Sequence, residues 1–445
     1  MTMRVAMLSE HASPLALLGG VDAGGQNVYI DAVSRELAAL GCTVDVFTRR
    51  DDPARPQSVP WADGVQVIHV PAGPECWLPK DDLWPHMPAF RDGIDRFARL
   101  GPQYDVIHGN FWMSGWVAAE LAACWQTPVA QIFHATGMTK RREQGGADTS
   151  PDGRIAVERE VVQRVDRMIA QCPAERDELI DDYDARPERI SLIPSAVDTT
   201  RFRPIPRTLA RRQLGLVADD KIVVYVGRMV PRKDARNIVQ ALAMIAQRRR
   251  EAGRRDLPRL YLVGGETETP DPIATPEIGV LRDLTEALGL SDVVTFVGRR
   301  QPDDLHRWYS AADVAVTTPW YEPFGLTPLE AMACGCPVIG ADVGGISFTI
   351  ADGETGFLVP AKDPAALADR LETLLADPAR RERMGRAGRA RVEREFTWPT
   401  VARRTMALYA DLLWERSGIN TELDDIRTIR VTARSVPVAP IPASA

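Results

Sequence analysis

The sequence predicts an α/β protein made of two successive parallel-sheet units, and three observations carry that prediction. Short apolar runs bounded by glycine alternate along the chain with stretches whose apolar residues recur at helical spacing. The chain opens with a strand at Val5 to Leu8, a loop ending in Gly24-Gly25 and a helix from Gln26 to Leu40, which is the start of a βαβ unit. The same order recurs in the second half around Pro319 to Pro337, P-W-Y-E-P-F-G-L-T-P-L-E-A-M-A-C-G-C-P.

Length and composition bound the class. A chain of 445 residues with 45% apolar content has material for two or three domains with sizeable cores. A net charge of −7 argues against a chain that binds nucleic acid through a basic surface. The six cysteines form no C-x-x-C pair and lie beside no histidines at metal spacing, so they read as reduced thiols and no metal site is expected. No run approaches 18 apolar residues and Met1 to Leu8 lacks a signal-peptide core, so a cytoplasmic protein is expected.

In the first unit, Val28, Val33, Leu37 and Leu40 give the opening helix its apolar face, Gly41 ends it, and Thr43 to Thr48 is the next strand. Adjacent glycines at a helix N-terminus let backbone N–H groups approach an anion, which makes Gly24 and Gly25 diphosphate candidates. Y-D-V-I-H-G-N-F-W-M-S-G from Tyr104 is a strand running into His108, Asn110 and Phe111. V-A-Q-I-F-H-A-T-G-M-T-K from Val129 is a strand ending at His134, with Lys140 six residues on. Lys80, Lys140 and Arg154 are far apart and each reads alone as a solvated charge, as His108 alone reads equally as a satisfied strand-end histidine.

The second unit begins with a strand at Lys221 to Val226, then G-R-M-V-P-R-K-D and a helix from about Asn237 to Arg248. Further strands are expected at Leu260 to Val263, Val293 to Val297, Ala312 to Thr317 and Val338 to Gly340. Thr327, Pro328 and Glu330 suit N-cap, N1 and N3 of a capping box, with Gly335 as the stop. Glu322 then stands at the carboxyl end of a strand, and Phe324, Gly325 and Leu326 lead into a helix whose free N–H groups face the crevice where open α/β sheets bind ligands. The basic run Arg248 to Arg255 reads as a solvated helix end, with contact to an anionic membrane surface as the weaker alternative.

E-P-F-G-L-T-P-L-E-A-M-A-C-G, with Glu322 and Glu330 eight residues apart, resembles the E-x7-E signature of the retaining family 4 glycosyltransferases of GT-B fold. The resemblance implies two facing Rossmann-like domains with the active site in the cleft between them. It implies that Glu322 lies against the donor sugar, Glu330 holds the ribose, Arg228 and Lys233 of Gly227-Arg228-x4-Lys233 clamp the diphosphate, and Val297 and Arg299 line the base pocket. Where the family has glycine after the lysine, Asp234 adds a negative charge.

In the first unit, G-V-D-A-G-G-Q-N-V-Y-I resembles the branch that contains D-inositol 3-phosphate glycosyltransferases and sucrose(-phosphate) synthases. By that resemblance Asn27 contacts the acceptor, His134 reaches the donor sugar, His108 belongs to the acceptor side, and Lys80, Lys140 and Arg154 hold an acceptor phosphate. Asn110 and Phe111 depart from the branch's H-x-H-Y-W-x-S-G, so a phenol hydrogen bond to the acceptor is missing. The expected division is residues 1–200 as acceptor domain, 201–395 as donor domain, 396–417 as a helix returning to the first domain, and a tail at 418–445, disordered near its end.

The implied reaction is transfer of a sugar from a nucleotide diphosphate sugar, first a UDP-sugar, to a phosphorylated sugar or polyol, with retention and with neither metal nor cofactor. Open alternatives are a sucrose- or sucrose-phosphate-forming transferase, a lipid or polysaccharide glycosyltransferase, a nucleotide-sugar epimerase and a non-catalytic nucleotide-sugar-binding protein.

Overall fold

The computed structural model describes residues 2–15 and 24–417. The expected tail at 418–445 and the part of the glycine loop at 16–23 lie outside the described residues. The rest forms two compact units: one runs to Pro194 and includes the helix Trp398–Ser417, and the other is Ser195–Thr397. The first boundary falls a few residues before the expected position 200, for a visible reason. Val197 pairs with Thr397 in a parallel bridge and its N–H donates to the Phe396 carbonyl at 3.0 Å, so both crossing segments are stitched into the second unit.

In the first unit the strands are β1 (Arg4–Leu8), β2 (Thr43–Arg49), β3 (Ser58–Ala62), β4 (Val65–Val70), β5 (Val106–Asn110), β6 (Val129–Ile132), β7 (Arg167–Ala170) and β8 (Ile190–Leu192). They form one sheet in the order β3-β4-β2-β1-β5-β6-β7-β8, parallel except for the β3–β4 hairpin. Central strands such as β1 and β5 are buried almost end to end, as expected of parallel strands covered by helices on both faces. The chain turns from one side of β1 to the other at β5. That reversal places the loops after β1 and β5 next to each other at the carboxyl edge.

The second unit contains β9 (Ile222–Val226), β10 (Arg259–Val263), β11 (Val294–Gly298), β12 (Val314–Thr317), β13 (Val338–Ala341) and β14 (Gly356–Val359), in the order β11-β10-β9-β12-β13-β14. This is the doubly wound order, with its reversal between β9 and β12. The expected capping box does not form. Gly325, at φ +82°, is the N-cap, and the helix is Leu326–Ala333, so Thr327 and Glu330 lie inside it. A left-handed glycine starts the helix two residues early, and Pro328, third in the helix, costs no hydrogen bond because that N–H has no partner in any helix.

The helix Trp398–Ser417 packs on the helix Gly25–Ala39 in the first unit. Tyr409 Oη lies 2.6 Å from His108 Nδ1, and Cys42 Sγ lies 3.9 Å from Met406 Sδ. Asp313, immediately before β12, is 1% exposed and ties three parts of the second unit together. Its carboxylate accepts from the Ile222 N–H at 2.8 Å and Arg211 Nη2 at 3.0 Å, and pairs with Arg381 at 3.2 Å. Arg211 and Arg381 are themselves buried, so removing the carboxylate strands two guanidinium groups out of water. Asp313→Ala should therefore lose about 3–5 kcal/mol of stability in urea unfolding, and a loss under about 1 kcal/mol would show that the cluster does not hold this unit together.

Candidate active site

The loops after β9 and β12 meet at the reversal of the second sheet. The Trp320 N–H donates to the Arg232 carbonyl at 2.9 Å, and Lys233 Nζ forms a short ion pair with Glu322. Both side chains are 15% exposed. Burial pushes the Glu322 carboxyl up, but the Lys233 charge and hydrogen bond, with Arg232 and Arg228 behind them, hold it below the usual carboxylate range. Burial lowers the Arg228 guanidinium, with Arg232 as the next contributor, and Tyr225 Oη donates to the Arg228 carbonyl at 2.9 Å. The site thus concentrates three cations around one ionised carboxylate.

Two glycines hold that loop from behind. A side chain at Gly344 would come within 2.2 Å of the Glu322 carbonyl oxygen, and one at Gly345 within 2.3 Å of Phe324 Cα. The Gly345 N–H donates to the Glu322 carbonyl at 3.1 Å. Phe324 is buried, Gly325 turns the chain, and Leu326 opens the helix whose first N–H groups lie there unbonded within the helix. Glu330 accepts from Tyr309 Oη at 2.9 Å, and burial raises its carboxyl to about 7. Gly227 donates its N–H to the Val263 carbonyl. Buried Val297 and exposed Arg299 stand at the end of β11, the edge strand two places from β9, where the Arg299 N–H donates to the Thr267 carbonyl at 2.8 Å.

In the first unit, Asn110 donates from Nδ2 to the Leu8 carbonyl at 3.2 Å and presents Oδ1 to His134 Nε2 at 3.1 Å. The Tyr29 ring meets His134 edge-on at 4.9 Å. Burial holds the His134 imidazole down at about 3, so it is neutral at physiological pH. Phe111 packs its ring 5.0 Å beneath the Arg154 guanidinium and 5.0 Å from the His11 ring. His11 pairs with buried Glu10 at 2.7 Å, and these two border a solvent-open cleft of ≈ 510 Å³ together with Arg49 and Trp77.

Two expected site residues, Phe111 at φ +74° and His134 at +61°, and the departure Asp234 at +51° sit on left-handed backbone that side chains seldom adopt. Strain of this kind persists only where surrounding structure enforces it and concentrates at functional loops. Asp234 is the N-cap of the helix Ala235–Glu251, so the family's glycine at this place answers a backbone demand that aspartate also tolerates.

Lys140 and Arg154 do converge. Lys140 Nζ lies 2.8 Å and Arg154 Nη1 3.2 Å from the hydroxyl of Ser150, and Lys140 also pairs with Asp148 at 3.0 Å. Lys80 begins a short 3-10 turn in which Asp81 accepts from Thr149 Oγ1 at 2.7 Å, so the Lys80 turn is latched to the same segment. Arg154 is fixed by Glu158 at 2.8 Å and by the Ala135 carbonyl at 2.6 Å.

Two further expected acceptor residues have partners inside the unit. The Asn27 amide accepts from the Gly24 N–H and donates to the Ser13 carbonyl, both at 3.0 Å, which pins the glycine loop at the start of the helix Gly25–Ala39. His108 has no exposed surface, and burial holds it neutral with a value of about 3, so it serves the docking of Tyr409. The sequence reading missed Asp148 and Ser150, small polar residues in a loop, and Glu10 with His11, whose only signal was a polar pair directly after a buried strand. Among the described residues no group of three or more His, Cys, Asp or Glu side chains is gathered for a metal, and no helix is long and apolar enough to cross a membrane.

Residues 206–391 match the family model for glycosyl transferases group 1, and residues 23–201 match that for glycosyltransferase family 4. The chain is 39% identical over 427 residues to a D-inositol 3-phosphate glycosyltransferase of Kineococcus radiotolerans, across 93% of this chain and 97% of that one. Its likeness to sucrose-phosphate synthase of Thermosynechococcus elongatus has a TM-score of 0.80 at 35% identity, across 93% of this chain and all (100%) of the other. Anabaena HepE, solved with UDP, shares the fold with a TM-score of 0.70 at 20% identity, across 92% and 100% of the two chains. From its motifs, its two doubly wound sheets and these matches, the chain belongs to the group 1, family 4 glycosyltransferases of GT-B fold.

Proposed function

We propose that the protein transfers a glycosyl unit from a nucleotide diphosphate sugar to a hydroxyl of a phosphorylated sugar or polyol, with retention at the anomeric carbon. The observation that carries the acceptor half is the meeting of Lys140 and Arg154, fourteen residues apart, on one hydroxyl oxygen. A point charge beside a planar guanidinium suits a phosphomonoester dianion. The inositol 3-phosphate relatives support a phosphorylated polyol, and the likeness to sucrose-phosphate synthase keeps a hexose phosphate beside it.

The second unit holds the donor, with a UDP-sugar the first to test. Departure of the diphosphate leaves the sugar oxocarbenium-like and puts negative charge on the leaving oxygen. Arg228, Lys233 and the N–H groups opening Leu326–Ala333 meet that charge in a site from which water is largely removed. On this reading the leaving diphosphate takes the proton of the attacking hydroxyl, and no residue serves as a covalent nucleophile. Glu322 and neutral His134 orient sugar hydroxyls, Glu330 accepts from the ribose, and no metal is needed in that scheme. The reaction is proposed to run in the cytoplasm.

A screen of UDP-, GDP- and ADP-sugars against inositol phosphate, hexose 6-phosphates, free sugars and a lipid extract, with EDTA present, tests this directly. Nucleotide release that depends on a phosphorylated acceptor is expected, and release only with free sugar or lipid would discard the acceptor half. Lys233→Ala should lower kcat/KM by about 10²–10³, and wild-type rates would remove the diphosphate clamp. Lys80→Ala and Lys140→Ala should raise the acceptor KM with the donor KM unchanged. Arg154→Ala is a poorer probe, because it leaves Glu158 buried without its cation.

Glu330 gives the donor site a pH dependence whose sign is fixed. With its carboxyl near 7, Glu330 is ionised above that pH and accepts from ribose hydroxyls as a charged group, and protonation below it removes the charge and turns one of its two acceptor oxygens into a donor. The donor KM should rise as pH falls from 7.5 to 5.5, and Glu330→Gln should show a high KM with that limb absent. A limb retained in Glu330→Gln would assign it to another group.

A further inference from the structure

Lys140 and Arg154 are both engaged by oxygens of the chain itself. Asp148 Oδ1 stands 3.0 Å from Lys140 Nζ, and the Ser150 hydroxyl takes hydrogen bonds from Lys140 at 2.8 Å and Arg154 at 3.2 Å. The Asp148 side chain is only 6% exposed, and its Oδ1 also accepts from the Ser150 N–H at 2.9 Å, which folds the two residues into one unit. A carboxylate oxygen and a hydroxyl oxygen thus present themselves to a lysine and an arginine much as two oxygens of a phosphate would.

The segment lies at the surface and follows two glycines. Gly145, at φ +52°, and Gly146 precede it, and a side chain at either would meet nothing. Thr149, at its crest, is exposed and tied down by a single hydrogen bond to Asp81. Arg154, in contrast, is anchored from below by Glu158 and by the Ala135 carbonyl, and stays when the segment leaves.

We propose that Asp148 and Ser150 form an internal surrogate for the acceptor phosphate, which sets acceptor specificity by requiring an incoming anion to displace it. The proposal rests on the phosphorylated-acceptor reading and adds a selection rule to it. A dianion brings more charge than Asp148 withdraws and wins the exchange, whereas an uncharged polyol gains nothing by opening the segment.

The test uses inorganic phosphate and the full chain, so it needs neither donor nor turnover. In isothermal titration, Asp148→Asn and Ser150→Ala should each bind phosphate about 3–10-fold more tightly than wild type, because the competitor is weakened while the cations remain. Adding Lys140→Ala to Asp148→Asn should abolish the gain. Amide exchange over residues 145–151 of the wild type should speed up when phosphate binds. Unchanged or weaker phosphate binding in both variants, no binding in any of the proteins, or slower exchange of that segment with phosphate would overturn the proposal. If phosphate binds as expected and yet only unphosphorylated acceptors are glycosylated, the reading of the acceptor fails and the exchange at Lys140 stands.

Discussion

The second unit is arranged around the need to pair two opposite charges that have been taken largely out of water. Lys233 and Glu322 come from loops 89 residues apart, and either one alone at this exposure would be costly. Their pairing makes the loops after β9 and β12 one structure, with the Trp320 to Arg232 backbone bond beside it and Gly344-Gly345 packed behind. The consequence for chemistry is preorganisation. Glu322 is held below the usual carboxylate range by the cation beside it, and the Lys233 ammonium is held in one place and largely out of water before any ligand arrives.

The first unit solves a similar problem with a division of labour. Arg154 is spent on permanent partners: Glu158, itself unexposed, also accepts from the Gly137 N–H and Tyr183 Oη, so the pair is part of a closed buried network. Among the described residues, the Lys140 ammonium is engaged by Asp148 and Ser150, which belong to a loop. One cation is therefore held from beneath by a buried carboxylate, while the other is held by a loop carboxylate and a loop hydroxyl.

Much of the fold was legible because parallel strands buried on both faces are apolar runs, and β1, β9, β10 and β12 all read that way. The β3–β4 hairpin escaped notice because Pro60 and Trp61 obscure the alternation of β3, although Asp63-Gly64 between the strands is a hairpin signal. The donor motif was legible as a string, but its helix start was not. Thr327, Pro328 and Glu330 fit a capping box by residue type, and only the left-handed turn at Gly325 shows that the helix begins earlier. Asp234 illustrates the same gap: in sequence it is a misplaced charge, and in the fold it is a φ value. His108 and Asn27 were ambiguous for another reason. A polar side chain near a ligand and one that holds a loop or helix in place have the same spacing in sequence, and only burial and partners separate them.

Asn110 and Phe111, the departures that remove a phenol hydrogen bond to the acceptor, support two other residues. With Nδ2 donating to the Leu8 carbonyl, the Asn110 amide must present Oδ1 to His134, which puts the neutral imidazole's proton on Nε2 and leaves Nδ1 as an acceptor. A second histidine at position 110 would itself be titratable, whereas an amide is not and fixes one tautomer wherever His134 is neutral. Phe111 offers no phenol, but its ring face lies under the Arg154 guanidinium, whose edge it leaves to Ser150. The ring thus seats the guanidinium from beneath while offering no hydroxyl of its own, so position 111 acts on this site through the placement of Arg154.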